Sequence, residues 1–255
     1  MHDETPPHST STPGGTAGVL TRSSSGVWCL VGNSAMLGAL ARSAFDWIAL
    51  DAQHGEFDRR ALIDAGRMLA SGGHAFAVRV GSVDAERIGF ALDIGASTVI
   101  VPQVDTADDA RRSVAAALYP PAGARSWGPL IAMWGLRPVA AADAAPQVAV
   151  MIESEQALAN VAEIASVPGV NLLFVGPFDL AISLGIALDD LLDDERGPLA
   201  TIRHAAEAAG IGAAAFAGTP ERARILRDRG FDCLAVATDM SVIVAGADWL
   251  LGEMQ

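Results

Sequence analysis

Two acids, Glu153 and Asp179, stand just past the ends of two successive apolar runs, Val148 to Ile152 and Asn171 to Val175. Between these runs, Ser154 to Ala165 has helical spacing with an acid in its first turn, so the order is strand, helix, strand and both acids fall at the same end. Neighbouring parallel strands lie roughly 4.8 Å apart, which allows two carboxylates just beyond their ends to share one cation. Two solvated loop acids would leave the same local pattern. Further groups stand at comparable positions. Asp51 closes one apolar run and opens DAQHG, with His54 three residues on, and Arg79 closes another. A histidine can move protons near neutral pH, and a fixed guanidinium can hold an anion or a developing negative charge.

Something must bring these residues to one place, and the chain has a repeating pattern able to do so. Strand signals fall at Gly26–Val31, Asp46–Leu50, Ala75–Val78, Thr98–Val101, Val148–Ile152, Asn171–Val175, Gly212–Phe216 and Cys233–Val236. Helical signals follow at Ser34–Arg42, Asp58–Ala70, Asp84–Asp93, Thr106–Leu118, Ser154–Ala165, Asp194–Ala209, Pro220–Arg229 and Met240–Leu251. Eight strand–helix units predict a single-domain α/β fold, the (β/α)8 or TIM barrel, for which 255 residues is a fitting length. A hydrophobic content of 51% with only 5% aromatic residues suits parallel strands covered on both faces by Ala, Val, Leu and Ile. Catalytic groups of such barrels come from the C-terminal strand ends. Asp51, Arg79, Glu153 and Asp179 all stand there, with Gln103 and Thr238 as uncharged exits.

Composition removes several functions. A net charge of −13, with arginines scattered among acids, argues against nucleic acid as a partner. No apolar run approaches the ~18 residues of a membrane span. Residues 1–25 are rich in Pro, Ser, Thr and Gly and lack the pattern of a secretion signal, so they read as a disordered tail ahead of a catalytic barrel over 26–255. Cys29 and Cys233 lie within apolar runs and read as buried free thiols, consistent with a reducing cytoplasm. All 17 positive residues are arginine. Without lysine no imine with a carbonyl substrate can form, so carbonyl chemistry here needs a metal or fixed hydrogen-bond donors.

The segments FDWIALDAQHG, VRV, LYPPAGARSWG, MIESEQALANVAEIASVPGV and FVGPFDLAISLG resemble, in combination, those of the HpcH/HpaI aldolases over about Val27 to Met240. These are class II, metal-dependent enzymes that join and cleave pyruvate-type keto acids and aldehydes. The resemblance implies Glu153 and Asp179 as ligands of Mg2+ or Mn2+, or of Co2+. It also implies Arg79 as the group that binds the keto acid and steadies its enolate, and Asp51 with His54 as an acid/base pair. Gly176, Pro177, Phe178, Met151 and Trp127 would line the substrate; Trp127 and Trp134 lie in the long connection after the fourth helix and for that reason are candidates to shape the mouth. The expected small-molecule partners are a keto acid, pyruvate or an analogue such as hydroxypyruvate, and an aldehyde. A homo-oligomer, a hexamer or trimer of dimers, is also implied, with neighbouring subunits helping to close each site; the apolar segment Asp239 to Met254 suits docking or helix exchange.

The sequence departs from the family's pattern at three places. Gln53 stands where members usually have Glu, Met151 where a Gln is common, and Ser126–Trp127 replace part of a glycine-rich loop whose following connection is shortened. These leave the two acids in place and point to an altered acceptor range. An oxaloacetate decarboxylase using the same enolate, an acyl-CoA lyase of the citrate-lyase type and a non-catalytic keto-acid sensor are the competing readings.

Overall fold

The structure, a computed structural model, describes residues 19–254. Eight parallel strands close into a barrel in sequence order: β1 (Ser24–Cys29), β2 (Trp47–Asp51), β3 (Phe76–Arg79), β4 (Thr98–Val101), β5 (Gln147–Ile152), β6 (Leu172–Val175), β7 (Gly212–Phe216) and β8 (Cys233–Thr238). Their outward side chains, such as Val78, Val99, Val148 and Leu173, are fully buried beneath the helices. That is why the strands carry apolar residues in unbroken runs. The helices begin with α1 (Ser34–Leu40), α2 (Arg59–Ser71), α3 (Ala85–Asp93), α4 (Ala107–Ala117), α5 (Glu155–Ala159) and α6 (Val161–Ala165). They continue with α7 (Pro177–Leu184), α8 (Leu188–Asp193), α9 (Pro198–Ala209), α10 (Pro220–Asp228) and α11 (Asp239–Gly252).

Several helix starts are fixed by side chains that accept backbone N–H groups. Asp58, Asp84, Thr106, Ser154, Thr219 and Thr238 each do so. Several helices differ from the sequence expectation. The helix foreseen over Ser154–Ala165 breaks at Asn160, whose Nδ2 donates to the Asp105 carbonyl. A helix absent from the reading, α7, follows β6 directly, with Pro177 in its first turn, where a missing N–H costs nothing. The acidic run read as a loop and helix start contains α8, because Leu191 and Leu192 turn inward while Asp189 and Asp190 meet solvent. The next helix consequently starts at Pro198 rather than Asp194.

The lumen is a second core of Trp28, Trp47, Ala49, Ile100, Met151, Leu172, Phe174 and their neighbours. Gly26 is needed here, since a Cβ on it would fall 2.1 Å from the Trp47 ring. The floor is sealed by residues ahead of β1. Leu20 is buried among the lumen side chains, its N–H donates to Gln147 Oε1 and its carbonyl accepts from Gln147 Nε2, while the Val19 N–H donates to Thr98 Oγ1. Residues 19–25 of the expected tail are thus part of the fold, and 1–18 lie outside the described residues. Cys29 and Cys233 are buried free thiols. Among the described residues no helix is long and apolar enough to cross a membrane.

Helix α11 is unlike the others. Ile243, Val244, Trp249, Leu250 and Leu251 are all more than half exposed, Trp249 by 64%. It is apolar around its circumference, and its own barrel covers little of it.

Candidate active site

Asp51 and Arg79 end adjacent strands and are register partners in the β2–β3 pair, so the two side chains emerge side by side. Asp51 is 0% exposed, and its carboxylate is fully engaged. Oδ1 accepts from Arg79 Nε at 2.9 Å and from the backbone N–H groups of Gln53 and His54 at 3.0 and 3.2 Å. Oδ2 accepts from Arg79 Nη2 and from Trp28 Nε1. Burial alone would raise the Asp51 pKa, but the bonds and charge of Arg79, with those from Trp28 and Gln53, outweigh it and hold the acid below the ordinary carboxylate range. The Trp28 ring lies 5.1 Å from the Arg79 guanidinium carbon. Two donor positions of the guanidinium are taken by Asp51, leaving Nη1 for another anion.

The expected pairing of Asp51 with the His54 imidazole takes a different form. Asp51 receives the His54 backbone N–H while its remaining lone pairs serve Arg79, Trp28 and Gln53, so it organises the DAQHG turn and the guanidinium together. His54 itself is exposed at the exit of β2.

Glu153 follows β5 and is 6% exposed. Its Oε1 accepts the Gln103 N–H at 2.7 Å. Gln103 has φ = 55°, a left-handed conformation uncommon outside glycine, and this turn aims its amide at the carboxylate. Burial raises the Glu153 pKa, and the nearby charges of Asp179 and Asp105 push in the same direction against the Gln103 bond and the Arg79 charge. The other oxygen, Oε2, sits against Gly176, where an added Cβ would come within 2.9 Å of it and 3.1 Å of Met151 Cε. Only glycine leaves this space. Asp179 lies in the first turn of α7 and is exposed, so α7 carries it from the β6 exit to within Coulombic reach of Glu153.

Two like charges held together, one of them buried, form a poor arrangement unless a cation stands between them. Among the described residues no group of three or more His, Cys, Asp or Glu side chains could hold a metal. Two carboxylates alone would suit a hard divalent ion that takes its remaining oxygens from water or substrate.

Sequence reasoning overlooked four contributors. The Gln103 backbone could not be seen, because nothing in the residue type reports a positive φ. Asp105 accepts the Ser154 hydroxyl and ties the β4 and β5 exits together, yet in sequence it looks like an ordinary acid before a helix. Asp239, fully buried at the β8 exit, accepts the N–H groups of Leu30 and Val31 at 2.9 and 2.8 Å and fixes the loop after β1. Its signal was available, as an acid directly after an apolar strand. Phe216, half-buried at the β7 exit, packs on Trp28 with ring centroids 5.5 Å apart.

Trp127 is not at this chain's own mouth. It lies in the connection from α4 to β5, which begins and ends on the floor side, and Ile131 of the same connection packs near Gly95 and Ala70 between helix ends and strand starts. The Trp127 ring is 53% exposed and stacks on Tyr119 at 5.4 Å. Trp134 lies in the same connection, under the Arg67 guanidinium. Of the remaining predicted residues, Met151 is buried in the lumen below Glu153, and Gly176, Pro177 and Phe178 form the turn from β6 into α7.

Comparison with known proteins agrees with this architecture. Residues 24–246 match the family model described as HpcH/HpaI aldolase/citrate lyase. The chain is 36% identical over 241 residues to the hydroxypyruvate/pyruvate aldolase of Paraburkholderia phytofirmans, covering 90% of this chain and 92% of that one. It is 37% identical over 199 residues to the 4-hydroxy-2-oxovalerate aldolase of Rhodococcus jostii, covering 74% and 77%. Among solved structures, an HpcH/HpaI aldolase/citrate lyase family protein from Burkholderia cenocepacia superimposes with a TM-score of 0.82 at 31% identity, covering 91% and 95% of the two chains. A barrel with acids and a buried guanidinium at its strand exits, matched along nearly its whole described length, thus belongs to the HpcH/HpaI aldolase/citrate lyase family and is a carbon–carbon lyase.

Proposed function

We propose that the protein is a divalent-metal class II aldolase that reversibly adds pyruvate, or a close analogue such as hydroxypyruvate, to an aldehyde. The observation that carries this reading is the buried Glu153 carboxylate, with Oε2 open toward Gly176 and Asp179 within Coulombic reach. Glu153 and Asp179 would hold Mg2+, Mn2+ or Co2+, which when bound polarises the donor ketone and stabilises negative charge on its oxygen. Arg79, gripped along one edge by Asp51, offers Nη1 to the keto acid and to the charge that develops when a C3 proton leaves. Met151 and Gly176 bound the donor from below. His54, exposed at the β2 exit, exchanges protons with the donor C3 or the aldehyde oxygen, and Asp51 orients the turn that carries it. The absence of lysine accords with a route that has no imine.

The uncovered apolar surface of α11 supports assembly into a homo-oligomer, in which Trp127 would serve a neighbouring copy's mouth rather than its own. Two buried free thiols accord with a reducing cytoplasm.

The test is exchange of the pyruvate methyl protons in D2O followed by NMR, which needs no knowledge of the acceptor. Exchange should require Mn2+ or Mg2+, stop with EDTA and be lost in Glu153→Gln and Asp179→Asn. Exchange that persists without metal, or its absence from the loaded protein, would overturn the proposal. Carbon dioxide release from oxaloacetate without aldehyde cleavage would favour the decarboxylase instead.

A further inference from the structure

Arg79, Glu153 and Asp179 occupy the β3, β5 and β6 side of the mouth, whereas the side toward β7 and β1 is walled by aromatic rings in continuous contact. Trp28 meets Phe216 at 5.5 Å between centroids, and Phe216 meets Phe178 at 6.2 Å. Phe178 is 39% exposed and Phe216 half-buried, so the rings present open faces as well as touching one another. At the outer end stands Arg222, in the first turn of α10, its guanidinium carbon 5.0 Å from the Phe178 ring centroid. Arg222 is half-buried, donates Nη1 to the Ala217 carbonyl at 3.3 Å and makes no ion pair with a carboxylate among the described residues. In a chain of net charge −13, this places a partly desolvated cation, paired with no carboxylate among the described residues, against the ring of the residue preceding Asp179. A carbonyl bond leaves most of its donors free.

We propose that the Phe216–Phe178 wall is the acceptor subsite and that Arg222 selects aldehydes with an anionic group at the far end of a short chain. The inference rests on the aldolase reading above. The aldehyde carbon faces the donor beside Asp179, its chain crosses the two rings, and its terminal carboxylate or phosphate pairs with the guanidinium. The new bond joins donor C3 to the aldehyde carbon; the proton lost from C3 is balanced by one gained at the aldehyde oxygen. Arg222 takes part in neither transfer and acts on specificity alone.

The test measures aldol addition with saturating pyruvate and Mn2+ for two charged acceptors, succinic semialdehyde and glyceraldehyde 3-phosphate, against the uncharged butanal and glyceraldehyde. Three proteins are compared: the unaltered chain, Arg222→Gln, and Arg87→Gln, which removes an exposed cation in α3. Arg222→Gln should raise KM for at least one charged acceptor roughly 10- to 100-fold, the loss expected of a hydrogen bond between charged groups. Neither KM for the uncharged pair should move by more than about twofold, and Arg87→Gln should change none of the four. A rise confined to the carboxylate or to the phosphate identifies the anion. An equal rise for uncharged acceptors, no rise for either charged one, or the same effect in Arg87→Gln would overturn the subsite. Pyruvate proton exchange involves no acceptor and should be unchanged in Arg222→Gln. Its absence from the unaltered protein would instead defeat the aldolase reading itself.

Discussion

Substituting Asp51 by Asn separates a carboxylate that holds Arg79 from one whose main task is at His54. In the structure the acid is fully buried, accepts two bonds from a nearly buried guanidinium, and receives three further N–H donors from Trp28, Gln53 and His54. The amide keeps the shape and one acceptor, but it loses the charge and turns a donor toward Arg79. Breaking one side of a buried pair costs about 3–5 kcal/mol, chiefly because the surviving charge is left uncompensated. For a chain of this size that is a fall of Tm on the order of 10 °C. Arg79→Met should cost less, since Asp51 retains its three N–H donors. The double variant Asp51→Asn/Arg79→Met removes both charges, so its cost should fall short of the sum of the singles by about 2 kcal/mol, well outside the few tenths expected of independent sites. The assay is urea unfolding at fixed protein concentration with EDTA present, so that neither assembly nor metal binding changes between variants. Oxalate binding to the metal-loaded proteins, measured in parallel, should weaken in Asp51→Asn because the Arg79 donor edge is no longer held. Additive unfolding energies with unimpaired oxalate binding would refute the argument that Asp51 acts through Arg79.

The same carboxylate sets a pH dependence. Its folded pKa lies below the unfolded value of about 3.9, so its stabilisation is present above that value and is lost as pH falls through the folded one. The Tm gap between the unaltered protein and Asp51→Asn should therefore narrow as melts are taken from pH 6 toward the acid limit, and a constant gap would contradict this. Burial pushes the Cys233 thiol up to about 12, and Cys29 higher still. Iodoacetamide at pH 8 should thus leave both unlabelled in the native protein and label both in urea, as read by mass spectrometry. Leu20→Ala opens a space in the lumen and should cost about 2–5 kcal/mol in urea unfolding; a loss below 1 kcal/mol would mean that the floor seal is dispensable. Trp249→Asp and Leu250→Asp should lower the assembly state seen by light scattering while circular dichroism remains that of the barrel.

Much of this architecture is visible in the chain because a parallel barrel leaves a strong imprint. Each strand is apolar on both faces, so the runs are unbroken, and the polar residue that ends a run marks the exit where chemistry can sit. Asp51, Arg79 and Glu153 were legible for that reason, and Asp179 through its place just after the Gly176–Pro177 turn. What one residue does to another was less visible. Asp51 and Arg79 are 28 positions apart and meet only through strand register, so the same acid looked as though it belonged to His54, three positions away. The Gln103 amide depends on a backbone angle that no side chain reports. Trp127 was assigned to the mouth because its connection is long, but an α-to-β connection in a barrel starts and ends on the other face. Leu20 was lost among tail residues because one apolar side chain in a Pro- and Ser-rich stretch has no period to reveal it.

The seal formed by Val19 and Leu20 has a practical consequence for handling the protein. Because the chain enters the barrel through the floor, pinned to Thr98 and Gln147, anything fused ahead of residue 19 is tethered on the face opposite the substrate mouth. A catalyst immobilised through an anchor joined directly to Val19 would present its mouth outward. Attachment after α11 would place the linker beside an uncovered apolar helix and compete with whatever packs there.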